Sequence, residues 1–187
     1  MRALPSLSPR LATRADLPAL EALMHAAIRE LIGPLLDAQR LEASFEIMGV
    51  DSRLIDDGTY YVLEDDCGRL LACGGWSRRA TLFGGDHSAG RDARLLDPAH
   101  EPARIRAMYT DPSFARRGLG RQVLTLCEDA ARAAGFKRVA LVATVAGEPL
   151  YRAAGYEVDR RIDVPTTRGV TVPCAEMSKP VWGQRKN

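Results

Sequence analysis

Between Ser113 and Leu124 the chain reads SFARRGLGRQVL, with three arginines and two glycines where a helical pattern begins. A helix N-terminus already carries unbonded N–H groups and a partial positive charge. Arg116, Arg117 and Arg121 add to that charge, while Gly118 and Gly120 remove the side chains that would hold a ligand off the backbone. This composition does nothing for a bare helix end. It suits an anion, and a phosphate best. Consecutive N–H groups gather into one concavity and the arginines add charge-assisted bonds, so a pyrophosphate is the natural fit. Two common phosphate loops are excluded. Val123 stands where a dinucleotide fingerprint needs its third glycine, and no G-K-[ST] follows for a Walker A loop. Taken alone, the loop leaves open a glycine-softened turn with solvated arginines.

The elements around this loop can be read from periodicity. Ala103 to Thr110 reads as a strand, with Ala103, Ile105, Ala107 and Tyr109 on one face. The loop Asp111 to Arg117 leads into a helix whose stripe is Leu119, Val123, Leu126, Cys127, Ala130 and Ala134, stopped by Gly135. Val139 to Ala143 is an uninterrupted apolar strand of the kind covered on both faces. Strand, helix and strand make a βαβ unit, and the arginine-glycine loop is its strand-to-helix turn. Upstream, Arg10 to Thr13 reads as a first strand, followed by a helix with Asp16 as N-cap and Pro18 in its first turn. A second helix runs from about Leu36 to Met48. Thr59 to Glu64 and Leu70 to Arg78 form a hairpin across the DDCG turn. A long Gly/Asp/Arg-rich loop, Ala80 to Pro102, follows. Downstream come a short helix from Pro149 to Ala154, capped by Gly155, and two final strands near Tyr156 to Val164 and Val170 to Lys179.

A chain of 187 residues suits one domain. We divide it into a flexible tail 1–9, a single domain 10–182 and a polar tail 183–187. The net charge of +2 is too small to argue for a nucleic-acid binder, and no apolar run approaches a membrane span. The start, MRALPSLSPR, lacks the apolar stretch of a signal peptide. Cys67, Cys73, Cys127 and Cys174 form no C-x-x-C pair and have no histidine at metal spacing, so we expect reduced thiols, no metal and a cytoplasmic protein.

The stretch MYTDPSFARRGLGRQVL, followed by GFKRVALVATVAGEPLYRAAGYEV, closely resembles the GNAT superfamily of acetyl-CoA-dependent N-acetyltransferases. The resemblance covers the family's core from Ile105 to Val158, and the flanking elements follow the family's order. It implies a mixed α/β fold with a mostly antiparallel sheet of about six or seven strands, helices on both faces, and acetyl-CoA as co-substrate. Gly118 and Gly120 match the family's [Q/R]-x-x-G-x-[G/A] motif, while Ala115 departs from its first position. By the same resemblance, Arg116, Arg117, Gly118, Leu119, Gly120 and Arg121 contact the phosphates, and the backbone of Met108, Tyr109 and Thr110 pairs with the pantetheine arm. The family's later motif, N-x-x-A-x-x-L-Y-x-x-x-G-[F/Y], matches at Leu150, Tyr151, Gly155 and Tyr156. It departs at Thr144 and Gly147, and Thr144 takes the position of the pantetheine-contacting asparagine. Tyr151 then supplies a proton to the departing thiolate, with the oxyanion donor a backbone N–H on the Met108 strand.

The family resemblance names no general base in this chain. Val139 occupies the position where some members carry a glutamate, twelve residues before the tyrosine. Asp86 and His87 in the long loop, with His25 and His100, are more often solvated than catalytic. The segment Cys73 to Asp92 offers Trp76 and Phe83 as an apolar wall and Arg78, Arg79 and Arg91 as carboxylate partners for an acceptor. Its other reading, equally weighted, is a core tryptophan beside solvated arginines. Two functions follow: transfer of an acetyl group to a primary amine, or acyl-CoA sensing on the same scaffold without turnover. A homodimer stays open.

Overall fold

The computed structural model describes residues 6–88 and 91–181. Seven strands form one sheet: β1 (Leu7–Leu11), β2 (Tyr60–Asp65), β3 (Leu70–Ser77), β4 (Ala103–Thr110), β5 (Arg138–Thr144), β6 (Glu157–Pro165) and β7 (Thr171–Pro180). Their spatial order is β1-β2-β3-β4-β5-β7-β6, and β4–β5 is the parallel pair in an otherwise antiparallel sheet. The helices are α1 (Leu17–Ala27), α2 (Ala38–Ile47), α3 (Ser52–Asp56), α4 (Leu119–Ala133) and α5 (Glu148–Ala153). Helix α1 runs on into a π-turn, Ile28–Ile32, and a 3-10 turn, Gly33–Leu35. Among the described residues no helix is long and apolar enough to cross a membrane.

Two apolar clusters sandwich the sheet. On one face α4 sets Leu119, Val123, Leu124, Cys127 and Ala131 against Leu71, Ile105 and Leu141, and Tyr151 of α5 joins them. On the other, α1 and α3 set Leu20, Met24, Ile28 and Leu54 against Tyr60, Val62 and Cys73. Ala43 of α2 packs with Val164, Val172 and Cys174 over the β6–β7 end. Helices thus cover both faces, as the resemblance implied.

Strand β4 departs from the sequence reading. Gly75 pairs with Arg106 and Cys73 with Tyr109, so Gly74 alone stands opposite both Ala107 and Met108. This is a β-bulge, and it flips the alternation. Ile105 and Met108 belong to the α4-side cluster, while Ala107 and Tyr109 face α1, so the expected common face of Ala103, Ile105, Ala107 and Tyr109 does not exist. Ala107 sits at φ +51°, a left-handed conformation that costs a non-glycine residue about 1 kcal/mol. The buried Tyr60 hydroxyl donates to the Ala107 carbonyl at 2.8 Å and holds the bulge.

Other differences are smaller. The first strand spans Leu7–Leu11, so it starts within the segment read as a tail and overlaps the expected Arg10 to Thr13 only at Arg10 and Leu11. Helix α3 was not anticipated. Strand β5 alternates, with Val139, Leu141 and Ala143 buried and Ala140 and Val142 half-buried, so one of its faces is only partly covered. The long loop folds back on itself through Ala80 N–H to Arg94 O and Thr81 N–H to Asp92 O. The polar tail 183–187 lies outside the described residues.

Candidate active site

The ladder between β4 and β5 consists of Ala103 with Val139 and Arg104 with Ala140. Beyond Arg104 the strands splay, so the β4 edge over residues 105–110 has no ladder partner on the β5 side. Unpaired strand N–H and C=O groups are a ready template for an extended, amide-bearing ligand. A cavity of about 710 Å³ opens at this gap.

Helix α4 points its N-terminus at the same gap, and no side chain caps it. Helices α2 and α3 are capped by aspartates, with the Asp37 carboxylate accepting from Arg40 N–H and the Asp51 carboxylate from Arg53 N–H. The N-cap of α4 is Gly118 at φ +86°, with no side chain to accept from the free N–H groups. Arg116, two residues earlier, is also left-handed at φ +59°. Left-handed residues of this kind gather successive N–H groups into anion-binding concavities. A Cβ at Gly118 would meet nothing within 4 Å, whereas one at Gly120 would lie 3.2 Å from Leu150 Cδ2 and 3.5 Å from Thr110 Oγ1. Gly118 is therefore needed for its backbone angle and Gly120 for closeness between α4, β4 and α5.

Met108, Tyr109, Thr110, Arg116, Gly118, Leu119, Gly120, Arg121, Thr144 and Tyr151 all line this one cavity. Arg117 is not among its lining residues; its guanidinium lies 5.3 Å from the centre of the Phe114 ring. Arg121 donates to the Ala153 carbonyl at 2.7 Å, which ties α4 to the end of α5. The Leu119 side chain is core, and the Tyr109 hydroxyl is engaged by Gly49, accepting from its N–H at 3.1 Å. Thr144 Oγ1 accepts from Gly147 N–H at 3.2 Å and shapes the turn into α5. A Cβ at Gly147 would sit 3.2 Å from Tyr151 Cε2, so the glycine that replaces the motif's alanine makes room for the Tyr151 ring.

Tyr151 is buried and packs edge-on against Tyr156, with ring centroids 5.7 Å apart. Its hydroxyl has no hydrogen-bond partner among the described residues. Burial pushes its phenol well above the ordinary tyrosine value, so it is fully protonated at neutral pH.

The candidate bases fall away. Asp86 accepts from Ser52 N–H and pairs with Arg91, His87 Nε2 lies 2.8 Å from the Phe45 carbonyl, His25 stacks on Phe45, and His100 pairs with Asp97. None lines the cavity. Trp76 is a core residue, edge-on to Phe136 with Arg78 over its ring, and Arg79 and Arg91 are held by Asp57 and Asp51. Of the segment read as an acceptor wall, Phe83 with its neighbours Leu82 and Gly84 does reach the cavity.

The sequence reading missed the group that fixes this wall. Arg106, with only 3% of its side chain exposed, pairs with the 1%-exposed Asp51, and its second terminal nitrogen donates to Gly84 O. Asp51 also takes Arg91. One buried carboxylate thus joins the start of α3, the bulged strand and the loop that carries Phe83. The trace in the sequence was Asp51-Ser52, an N-cap signal for a short helix.

A profile described as the acetyltransferase (GNAT) family matches residues 21–156. No curated protein matches the chain in sequence. Solved structures share the fold at low identity. The ribosomal-protein-S18-alanine N-acetyltransferase of Escherichia coli is 17% identical, with 97% of this chain and 98% of that one covered and a TM-score of 0.58. The PaiA N-acetyltransferase of Thermoplasma acidophilum, in complex with coenzyme A, is 12% identical, with 94% and 99% covered and a TM-score of 0.62. A phosphinothricin acetyltransferase of Sinorhizobium meliloti, in complex with acetyl-CoA, is 19% identical, with 93% and 88% covered and a TM-score of 0.63.

Proposed function

The chain belongs to the acetyltransferase (GNAT) family, and from that premise we propose that it moves an acetyl group from acetyl-CoA to a primary amine by direct attack. One observation carries the reading: an uncapped helix N-terminus, an unpaired strand edge and a buried neutral phenol converge on a single cavity. The α4 N-terminus, with Arg116 and the glycine backbone, takes the pyrophosphate. The open edge of β4 over residues 105–110 pairs with the amide-bearing arm, and its N–H groups stabilise the carbonyl oxygen as charge develops. The solved relatives with coenzyme A or acetyl-CoA bound support this use of the fold.

The amine's lone pair forms the C–N bond at the acetyl carbon, and the C–S bond breaks with its electrons going to sulfur. Tyr151 gives its proton to that sulfur, the nitrogen's surplus proton leaves to water, and the phenolate regains a proton from water. Burial keeps the phenol protonated at every pH where the amine is a good nucleophile, and because the same burial makes it a weaker acid, the proton moves only as negative charge builds on the sulfur. Three buried thiols, Cys73, Cys127 and Cys174, are unpaired, which fits a reducing cytoplasm.

The test is thiol release from acetyl-CoA with a broad amine panel, read together with mass detection of the acetylated amine. Stoichiometric release and acetylation are expected. Stabilisation by acetyl-CoA with no release from any amine would return the protein to a sensor.

A further inference from the structure

The end of the cavity away from α4 is made by Leu31, Ile32 and Leu35 after α1, by Ile47 and Met48 after α2, and by Leu82 and Phe83 of the long loop. Five large hydrophobic side chains are exposed among the described residues, and three of them, Leu35, Phe83 and Val145, line this one cavity. Leu35 and Phe83 at this end, with Val145 after β5, give the cavity an apolar wall where it meets solvent. The charge pattern is equally one-sided. Among the described lining residues there is no aspartate, glutamate, histidine or lysine, and every charged lining side chain is an arginine. Arg116 and Arg121 lie at the phosphate end, and Arg106 is buried against Asp51 and the Gly84 carbonyl.

An amine with further ammonium groups would find no carboxylate here, and an amino acid would find its one nearby cation already engaged. Burying either charge unpaired is strongly unfavourable. We propose, on the basis of the acetyl-transfer reading above, that the acceptor is a primary monoamine on an uncharged apolar body, an alkyl- or arylalkylamine. The lobe also supplies what the missing base would do. An ammonium leaving water for an apolar wall loses its proton more readily, so entry itself favours the neutral nucleophile.

The experiment is a homologous ladder, propylamine to hexylamine, whose members share one basicity, compared with spermidine and alanine at saturating acetyl-CoA. The value of kcat/KM is expected to climb roughly fourfold per methylene until the lobe is filled. Hexylamine should exceed spermidine and alanine by more than about tenfold. Leu35→Glu, at a position 52% exposed, should flatten the ladder while leaving stabilisation by acetyl-CoA unchanged, and Phe83→Ala should make it shallower. With the amine as the only titrating group, kcat/KM should rise tenfold per pH unit up to the amine's own pKa. A ladder without slope, a preference for spermidine or alanine, or a break near pH ~6.5 from a basic side chain would overturn the proposal. Release from spermidine or alanine alone leaves acetyl transfer standing and removes only the apolar acceptor. Release from no amine removes both.

Discussion

Gly120→Val separates ligand approach from folding. Gly120 lies in the first turn of α4, where a Cβ would already be 3.2 Å from Leu150 Cδ2. Valine adds two methyl groups there. Leu150 can give by a few tenths of an ångström, and removing a glycine from a helix returns up to about 1 kcal/mol. The two added methyl groups overpack the turn by more than that, so the variant should lose about 1–2 kcal/mol and stay folded. The effect on the cleft should not be small, because the new methyl groups occupy the space between the α4 backbone and β4. At 100 times the dissociation constant, acetyl-CoA should stabilise the native protein by about 2.7 kcal/mol. For a chain of this length that is a rise in Tm of about 5–11 °C. If valine weakens binding 100-fold, the same ligand concentration stabilises by about 0.4 kcal/mol, a rise near 1 °C. Thermal unfolding with and without acetyl-CoA measures both numbers. A Gly120→Val protein with native circular dichroism and an undiminished ligand shift would show that the phosphates do not lie at this turn.

Three further outcomes follow from named contacts. Gly118→Ala meets no neighbour but forces alanine to φ +86°, so it should destabilise by about 1–2 kcal/mol in urea unfolding without clashing. Asp51→Ala leaves Arg106 buried without its partner and removes the α3 cap, so urea unfolding should register a loss of about 3–5 kcal/mol. Burial raises Tyr60, Tyr109, Tyr151 and Tyr156 above the ordinary phenol value. Above pH ~10 the unfolded chain therefore releases protons that the native state keeps. Stability should be flat in these groups below that pH and fall above it. Ultraviolet titration should show their tyrosinate absorbance rising together with loss of near-ultraviolet circular dichroism. Ionisation of all four in a still-native protein would contradict the packing.

Much of the fold was legible because it is written in local chemistry. Gly135 and Gly155, at φ +91° and +87°, end α4 and α5 as read, and the DDCG hairpin and the parallel β4–β5 pair are in place. The arginine-glycine turn was legible for the same reason, and apart from Arg117 its residues 116–121 named from the sequence do line the cavity. The bulge was not, because Ala107 has no turn chemistry of its own. It is imposed by Tyr60, 47 residues away, and it moved Tyr109 to the opposite face from the one its spacing suggested. Arg106 carries no local signal of its role, because its partner Asp51 is 55 positions distant. Trp76 was drawn toward the acceptor wall by its neighbours in sequence, yet its strand is buried throughout and sets it against Phe136. The apolar lobe escaped notice because it is assembled from three segments, each with an unremarkable pattern.

Tyr151→Phe tests the central claim most directly. The substitution removes one hydroxyl that has no hydrogen-bond partner among the described residues and keeps the ring against Tyr156. Folding and acetyl-CoA affinity should stay as they are, while turnover at saturating acetyl-CoA and hexylamine should fall about 10²–10⁴-fold. Equal turnover in the two proteins, with the chemical step shown to limit both, would contradict proton donation by Tyr151 and leave the ring as packing alone.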